Sequence, residues 1–169
     1  PENFVPKQFP VLKEIKNKEI ETDKAKPANL LIEGDNYHSL AVLNFTHQNK
    51  IDVIYIDPPY NTGKEDFVFN DKFVDAEDPY RHSKWLSFME KRLRLAKNLL
   101  RETGVIFISI DDNEMPQLKL LCDEVFLEKN FVQNFMWLHG KGKKDSWSRT
   151  LQQYILCYAK NKDILYEWT

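Results

Sequence analysis

Apolar residues in this chain recur in two ways, as short unbroken runs and as stripes spaced by three and four. Asn29-Leu30-Leu31-Ile32-Glu33 is a strand candidate that stops at Gly34-Asp35-Asn36; Tyr37, Leu40, Ala41, Leu43 and Asn44 then keep helical spacing to about His47. Val53 to Ile56 is β-branched and aromatic and predicts a buried strand, which Pro58 and Pro59 end because they bring no ladder donors. From Asn61 to about Asp75, polar residues are studded with Phe67, Phe69 and Phe73, the pattern of a long binding loop or hairpin. Leu86, Met89, Leu93, Ala96 and Leu100 mark an amphipathic helix over 84–102, with Ser83 as its N-cap and Gly104 at its end. Val105 to Ile110 is too uniformly apolar to have a wet face, and Asp111-Asp112-Asn113 caps a further helix with Pro116 in its first turn.

Strand, turn and helix thus repeat three times, which predicts an α/β fold with a parallel, doubly wound sheet. Residues 131–138 and 151–158 are two more strands with no helical pattern between them, so they pair antiparallel. The link between them, His139 to Arg149, holds Lys141, Lys143, Lys144 and Arg149 together with Trp147. That composition suits contact with phosphates and bases, and equally a solvated hairpin loop.

At 169 residues the chain is sized for one α/β domain, or part of one, preceded by a lysine- and glutamate-rich lead-in over residues 1–28. Its longest apolar runs are too short to span a bilayer, and no basic segment followed by an apolar core opens it, so a cytoplasmic protein without a membrane partner is expected. A formal charge of −2 argues against holding nucleic acid by bulk charge and leaves room for a local basic groove. Cys122 and Cys157 sit in apolar periodic segments without metal-ligand spacing, so they are expected to be buried thiols, and no metal site is expected.

Nucleophile elbow, P-loop, zinc motif and dinucleotide glycine fingerprint are all absent, and Gly140-Lys141-Gly142 is a lone G-x-G with no helix after it. The distinctive stretch is Asp57-Pro58-Pro59-Tyr60, an acid, two prolines and an aromatic at a strand's carboxyl end, the edge where open α/β sheets bind ligands. Such a turn suits a planar heteroaromatic amine. If an Asp57 carboxylate oxygen and the Pro58 carbonyl accept its two N–H bonds, the nitrogen can pyramidalise toward an electrophile while Tyr60 stacks on the ring. Asp35, also placed at a strand end, is either a helix cap or a ligand-binding acid.

Asp57-Pro58-Pro59-Tyr60 resembles the amino-methyltransferase motif of DNA adenine-specific methyltransferases. Gly34-Asp35-Asn36, residues 54–63, 82–89, 104–114 and 154–160 resemble the modification subunits of type III restriction systems. The resemblance runs from about Leu30 to Lys160 and makes 29–169 the catalytic part of a methyltransferase domain. It implies a Rossmann-like fold, S-adenosylmethionine as methyl donor, and an adenine flipped out of duplex DNA to present its N6 amine. It implies further that Asp57, Pro58, Pro59 and Tyr60 engage the base, that Asp35 and Asp57 lie near the cofactor, and that Asn61, Thr62, Lys64 and the link around Lys141, Lys143, Lys144 and Arg149 face DNA. A restriction subunit, a second copy and a missing C-terminal part of the same polypeptide are the implied protein partners. The chain departs from the family's pattern in lacking an F-x-G-x-G-like cofactor loop and in carrying Gln152-Gln153 where relatives often have His-Glu. Cytosine N4 methylation and a catalytically inactive DNA- or partner-binding module are the alternatives.

Overall fold

The computed structural model describes residues 9–20, 25, 29–144 and 149–165, with the side chains of 139–144 and 149–151 outside that description. Four strands form the main sheet in the order β1-β4-β6-β5, where β1 is Ile51–Ile56, β4 Leu100–Ile110, β5 Phe131–Lys144 and β6 Arg149–Ala159. β1 runs parallel to β4; β6 is antiparallel to both β4 and β5. The three long helices are α1 (Asn36–Thr46), α2 (Arg81–Leu99) and α3 (Met115–Cys122), and a small hairpin pairs β2 (Val68–Phe69) with β3 (Lys72–Phe73).

The core lies between one face of the sheet and α2 with α3. Trp85, Met89, Leu93 and Ala96 of α2 meet Ile106, Ile108 and Ile110 of β4, Leu118 and Leu121 of α3, and Leu156 and Tyr158 of β6. These positions recur at three and four along α2 and at two along the strands, so both periods in the sequence converge on one layer. The other face is thinner, with Val105, Cys157 and Ala159 buried beneath Phe107, Val132 and Leu165. Both cysteines are buried free thiols, and burial pushes Cys157 up to about 11.

Several expectations are corrected. Residues 29–33 form no strand: Leu30 and Leu31 are exposed, and an extended segment without a ladder partner is not a strand. The described sheet mixes one parallel with two antiparallel pairings, in keeping with the α/β fold expected, the antiparallel pair of β5 and β6 included. β1 is an edge strand rather than a fully buried one. Ile54 and Ile56 pack on the core while Val53 and Tyr55 face outward and are more than half exposed. α2 starts at Arg81, with Tyr80 rather than Ser83 at its cap, and ends at Leu99. Gly104 lies inside β4, where a Cβ would come 2.9 Å from the carbonyl oxygens of Arg101 and Ile51; it permits close approach of backbones rather than stopping a helix. The stretch 139–149 is not a loop throughout, since β5 continues to Lys144 and β6 begins at Arg149, with Lys143 opposite Thr150 and Lys144 opposite Arg149.

Within 61–75, Asn70 and Asp71 both adopt positive φ, the geometry of a tight two-residue hairpin turn, and Phe67 and Val74 are buried on either side of it. Among the described residues, no helix is long and apolar enough to cross a membrane.

Candidate active site

β1 and β4 are parallel neighbours, so their carboxyl ends open on the same edge of the sheet. β1 ends at Ile56, and beyond it Asp57 is exposed, Pro58 is buried and Tyr60 packs against the core. Tyr60 is half-buried beside Asp57. Burial and the neighbouring Asp57, with the charge of Asp111, hold the phenol well above the ordinary tyrosine range.

Two anchors fix the turn. The Trp85 indole N–H donates to the Pro59 carbonyl at 2.7 Å from a fully buried position in the first turns of α2. Asn61 follows Tyr60 with φ +56°, is fully buried, and donates through its side-chain amide to the carboxylate of Glu114 and to the Arg81 carbonyl. Glu114, also fully buried, sits at the N-terminus of α3 and receives a second hydrogen bond from His82 Nδ1 at 2.7 Å. Asn61 therefore belongs to the interior. Its side-chain nitrogen is committed to Glu114 and Arg81, while its buried Oδ1 has no hydrogen-bond partner among the described residues.

At the end of β4, Asp111 accepts from both the backbone and the side-chain amide of Asn113, and Asp112 accepts from the Tyr154 hydroxyl of β6 at 2.7 Å. A cavity of about 240 Å³ lies beside this edge, lined by Asp57 with Tyr55, Ser109, Trp137, Gln153, Tyr154 and Ile155. Tyr55 and Ser109 share a hydrogen bond across β1 and β4. A larger depression of about 460 Å³, lined by Asp52, Arg101 and Thr103 among others, lies toward the opposite end of the same strands and contains none of the turn residues.

Of the other candidates, Asp35 is the N-cap of α1: one carboxylate oxygen accepts from the backbone N–H groups of Tyr37 and His38, and the other lies 3.4 Å from Arg92 of α2. It is bonded to α1 and α2, not to the Asp57 turn. The Thr62 N–H donates to both carboxylate oxygens of Asp66, and Lys64 is exposed at the start of the aromatic-studded loop. Gly63 between them has φ +75°. Lys141, Lys143, Lys144 and Arg149 have strand backbones, and their side chains lie outside the described residues.

Trp85, Glu114 and His82 were not singled out as site residues by sequence reasoning. Each reads locally as a helix residue, and only the fold brings Glu114 to Asn61 across 53 positions and Trp85 to Pro59 across 26.

A family model described as a DNA methylase matches residues 51–168. The chain is 39% identical to the type III restriction-modification enzyme EcoP15I Mod subunit of Escherichia coli over 98% of its own length, and 42% identical to the EcoPI Mod subunit of Escherichia phage P1 over 96%. It spans 29% of the length of each of these relatives. It is also 41% identical to the type II methyltransferase M.KpnI of Klebsiella pneumoniae over 76% of this chain and 31% of that protein. Among solved structures, a candidate DNA modification methylase of Thermus thermophilus, complexed with S-adenosyl-L-methionine, superposes with a TM-score of 0.56 at 16% identity, over 80% of this chain and 54% of the other. The cytosine-N4-specific PvuII DNA methyltransferase superposes at 0.53 and 12% identity, over 73% and 47%. These likenesses establish the methyltransferase fold.

Proposed function

Since this chain belongs to the DNA methylase family, we propose that the protein containing it methylates the exocyclic N6 amine of an adenine flipped out of duplex DNA, as the modification subunit of a type III restriction system. The observation that carries this reading is the Asp57-Pro58-Pro59-Tyr60 turn at the carboxyl end of β1, with Tyr60 beside Asp57 and the Pro59 carbonyl bonded to Trp85. The identity to the Mod subunits supports the choice of adenine and of the type III class.

Because Trp85 takes the Pro59 carbonyl, the acceptors that the turn offers an amine are Asp57 and the Pro58 carbonyl. A carboxylate has acceptor sites for more than one donor, so Asp57 can accept a base N–H with Tyr60 beside it. The amine nitrogen, its two hydrogens so held, turns its lone pair out of the ring plane. As positive charge grows on that nitrogen, the Asp57 side chain and the Pro58 carbonyl dipole stabilise it, and the proton leaves along the hydrogen bond to Asp57. Tyr60, clamped between two anchored neighbours, offers its ring face for stacking.

S-adenosylmethionine, when bound, supplies an electrophilic methyl group. The residues present fit part of it: the exposed carboxylate of Asp57 suits its cationic methionine portion, and Asp35 has a second assignment near its adenine. No glycine-rich cradle occurs among these residues, and we assign the remainder of that site to the length of the relatives that this chain does not span. Thr62, Lys64, Lys141, Lys143, Lys144 and Arg149 are assigned to DNA contact, and a restriction subunit and a second copy are the proposed protein partners of a cytoplasmic enzyme.

The test uses the full-length protein, duplex DNA and labelled S-adenosylmethionine, with mass spectrometry of the product nucleosides. N6-methyladenine from the wild type and a loss of about 10²–10³-fold in Asp57→Ala are expected, the size of loss produced by removing one transition-state hydrogen-bond partner. Undiminished transfer by Asp57→Ala overturns the assignment of the turn; N4-methylcytosine as the product overturns the assignment of the base.

A further inference from the structure

Glu114 is a fully buried acid with no part in the chemistry above, and burying a carboxylate is costly unless its partners require it. Its position at the N-terminus of α3 suggests a helix cap, yet its side chain caps nothing there. It turns instead to Asn61 and His82. The His82 tautomer follows from its neighbours: Arg81 Nε–H donates to His82 Nε2, so in the neutral ring the proton is on Nδ1 and is donated to Glu114. Glu114 Oε1 therefore receives two hydrogen bonds, one from the start of α2 and one from the residue directly after Tyr60.

Asn61 could not hold this place unaided. Its backbone is left-handed, which asparagine tolerates better than most residues, and its buried amide needs an acceptor. Glu114 supplies it. On the other side of Tyr60, Trp85 fixes Pro59. The aromatic ring is thus held between two anchors, and Glu114 also joins the turn after β1 to the one after β4.

We propose that Glu114 is a positioning residue for the Asp57-Pro58-Pro59-Tyr60 turn: acting through Asn61, with His82 as its second donor, it sets the orientation of Tyr60 and Asp57 toward the target amine. This role rests on the methyltransferase reading. Misplacement of such a turn acts on the chemical step more than on binding, because most DNA and cofactor contacts lie elsewhere.

In the full-length protein, Glu114→Ala is expected to lower kcat on the order of 10²-fold with KM for duplex DNA and for S-adenosylmethionine changed less than about threefold, whereas Glu114→Gln, which keeps an oxygen acceptor for both donors, retains kcat within about threefold. With ¹⁵N-tryptophan labelling, the Trp85 indole N–H resonance shifts in Glu114→Ala and stays in place in Glu114→Gln. Should Glu114→Ala fail to fold, Asn61→Asp, which sets acid against acid and turns an acceptor to the Arg81 carbonyl, loses kcat, while Glu114→Gln keeps it. Unchanged kcat in Glu114→Ala or Asn61→Asp, a loss carried by KM alone, or a Glu114→Gln variant as impaired as Glu114→Ala overturns the proposal. A wild-type protein that transfers no methyl group would overturn the functional reading instead, leaving the Trp85 resonance to decide the positioning role.

Discussion

At the scale of the residue, Tyr60 is the most constrained side chain of the turn. Burial and the neighbouring Asp57 raise its pKa, so its folded-state value lies above the unfolded value near 10. A group shifted in this direction contributes stability that is complete below the unfolded pKa and is lost as pH rises through the interval toward the folded one. Thermal denaturation of wild type and Tyr60→Phe from about pH 8 to about pH 11 checks this: the wild type's melting temperature should fall more steeply above about pH 10, and parallel curves would contradict it. The turn itself is legible from one contiguous motif. The burial of Asn61 against Glu114 is not, because its type and place in the sequence also suit a surface loop.

At the scale of the element, the turn depends on supports that begin far away in the chain. α2 presents Leu93 and Met89 to the sheet and, at its start, Trp85 to the Pro59 carbonyl, so one amphipathic stripe both builds the core and fixes the site. The loop after the turn has its own requirement. Gly63 has φ +75°, and a Cβ there would stand 2.6 Å from the backbone N and Cα of Ala76. Gly63→Ala must therefore strain its own backbone and displace the chain at Ala76, with an expected cost of about 1–3 kcal/mol and faster limited proteolysis between Gly63 and Ala76. A cleavage pattern like the wild type's would show that the loop relaxes without cost. Helix periodicity made α2 legible to within three residues at each end, whereas the strand expected at 29–33 was an error of context. Its apolar run is real, but among the described residues no neighbouring strand meets it.

At the scale of the whole molecule, the sheet is covered unequally. α2 and α3 seal one face, and the other leaves Val53, Tyr55, Phe135 and Trp137 between about 41% and 60% exposed. Stability therefore concentrates in the sealed layer. Leu93→Ala, at a fully buried position there, is expected to cost about 2–5 kcal/mol in denaturant unfolding of the full-length protein, and a loss below about 1 kcal/mol would mean that this layer does not carry the fold. The cavity beside Asp57 opens near the less covered face and brings together β1, β4, β5 and β6, residues that span nearly 100 positions.

The sequence by itself determined what is local. Unbroken apolar runs and three-four stripes specified most strands and helices, Asp35 announced its cap, and Asp57-Pro58-Pro59-Tyr60 announced a rigid turn at a strand's end, because hydrogen-bonding capacity, ring constraint and side-chain period are properties of neighbours in the chain. Only the tertiary structure decided that β6 lies antiparallel beside β4, that Trp85 and not a ligand takes the Pro59 carbonyl, and that a buried acid behind Asn61 holds the turn. These are contacts across tens of residues, and the same glutamate or tryptophan on a helix looks alike in sequence whether it faces water, the core or a catalytic loop.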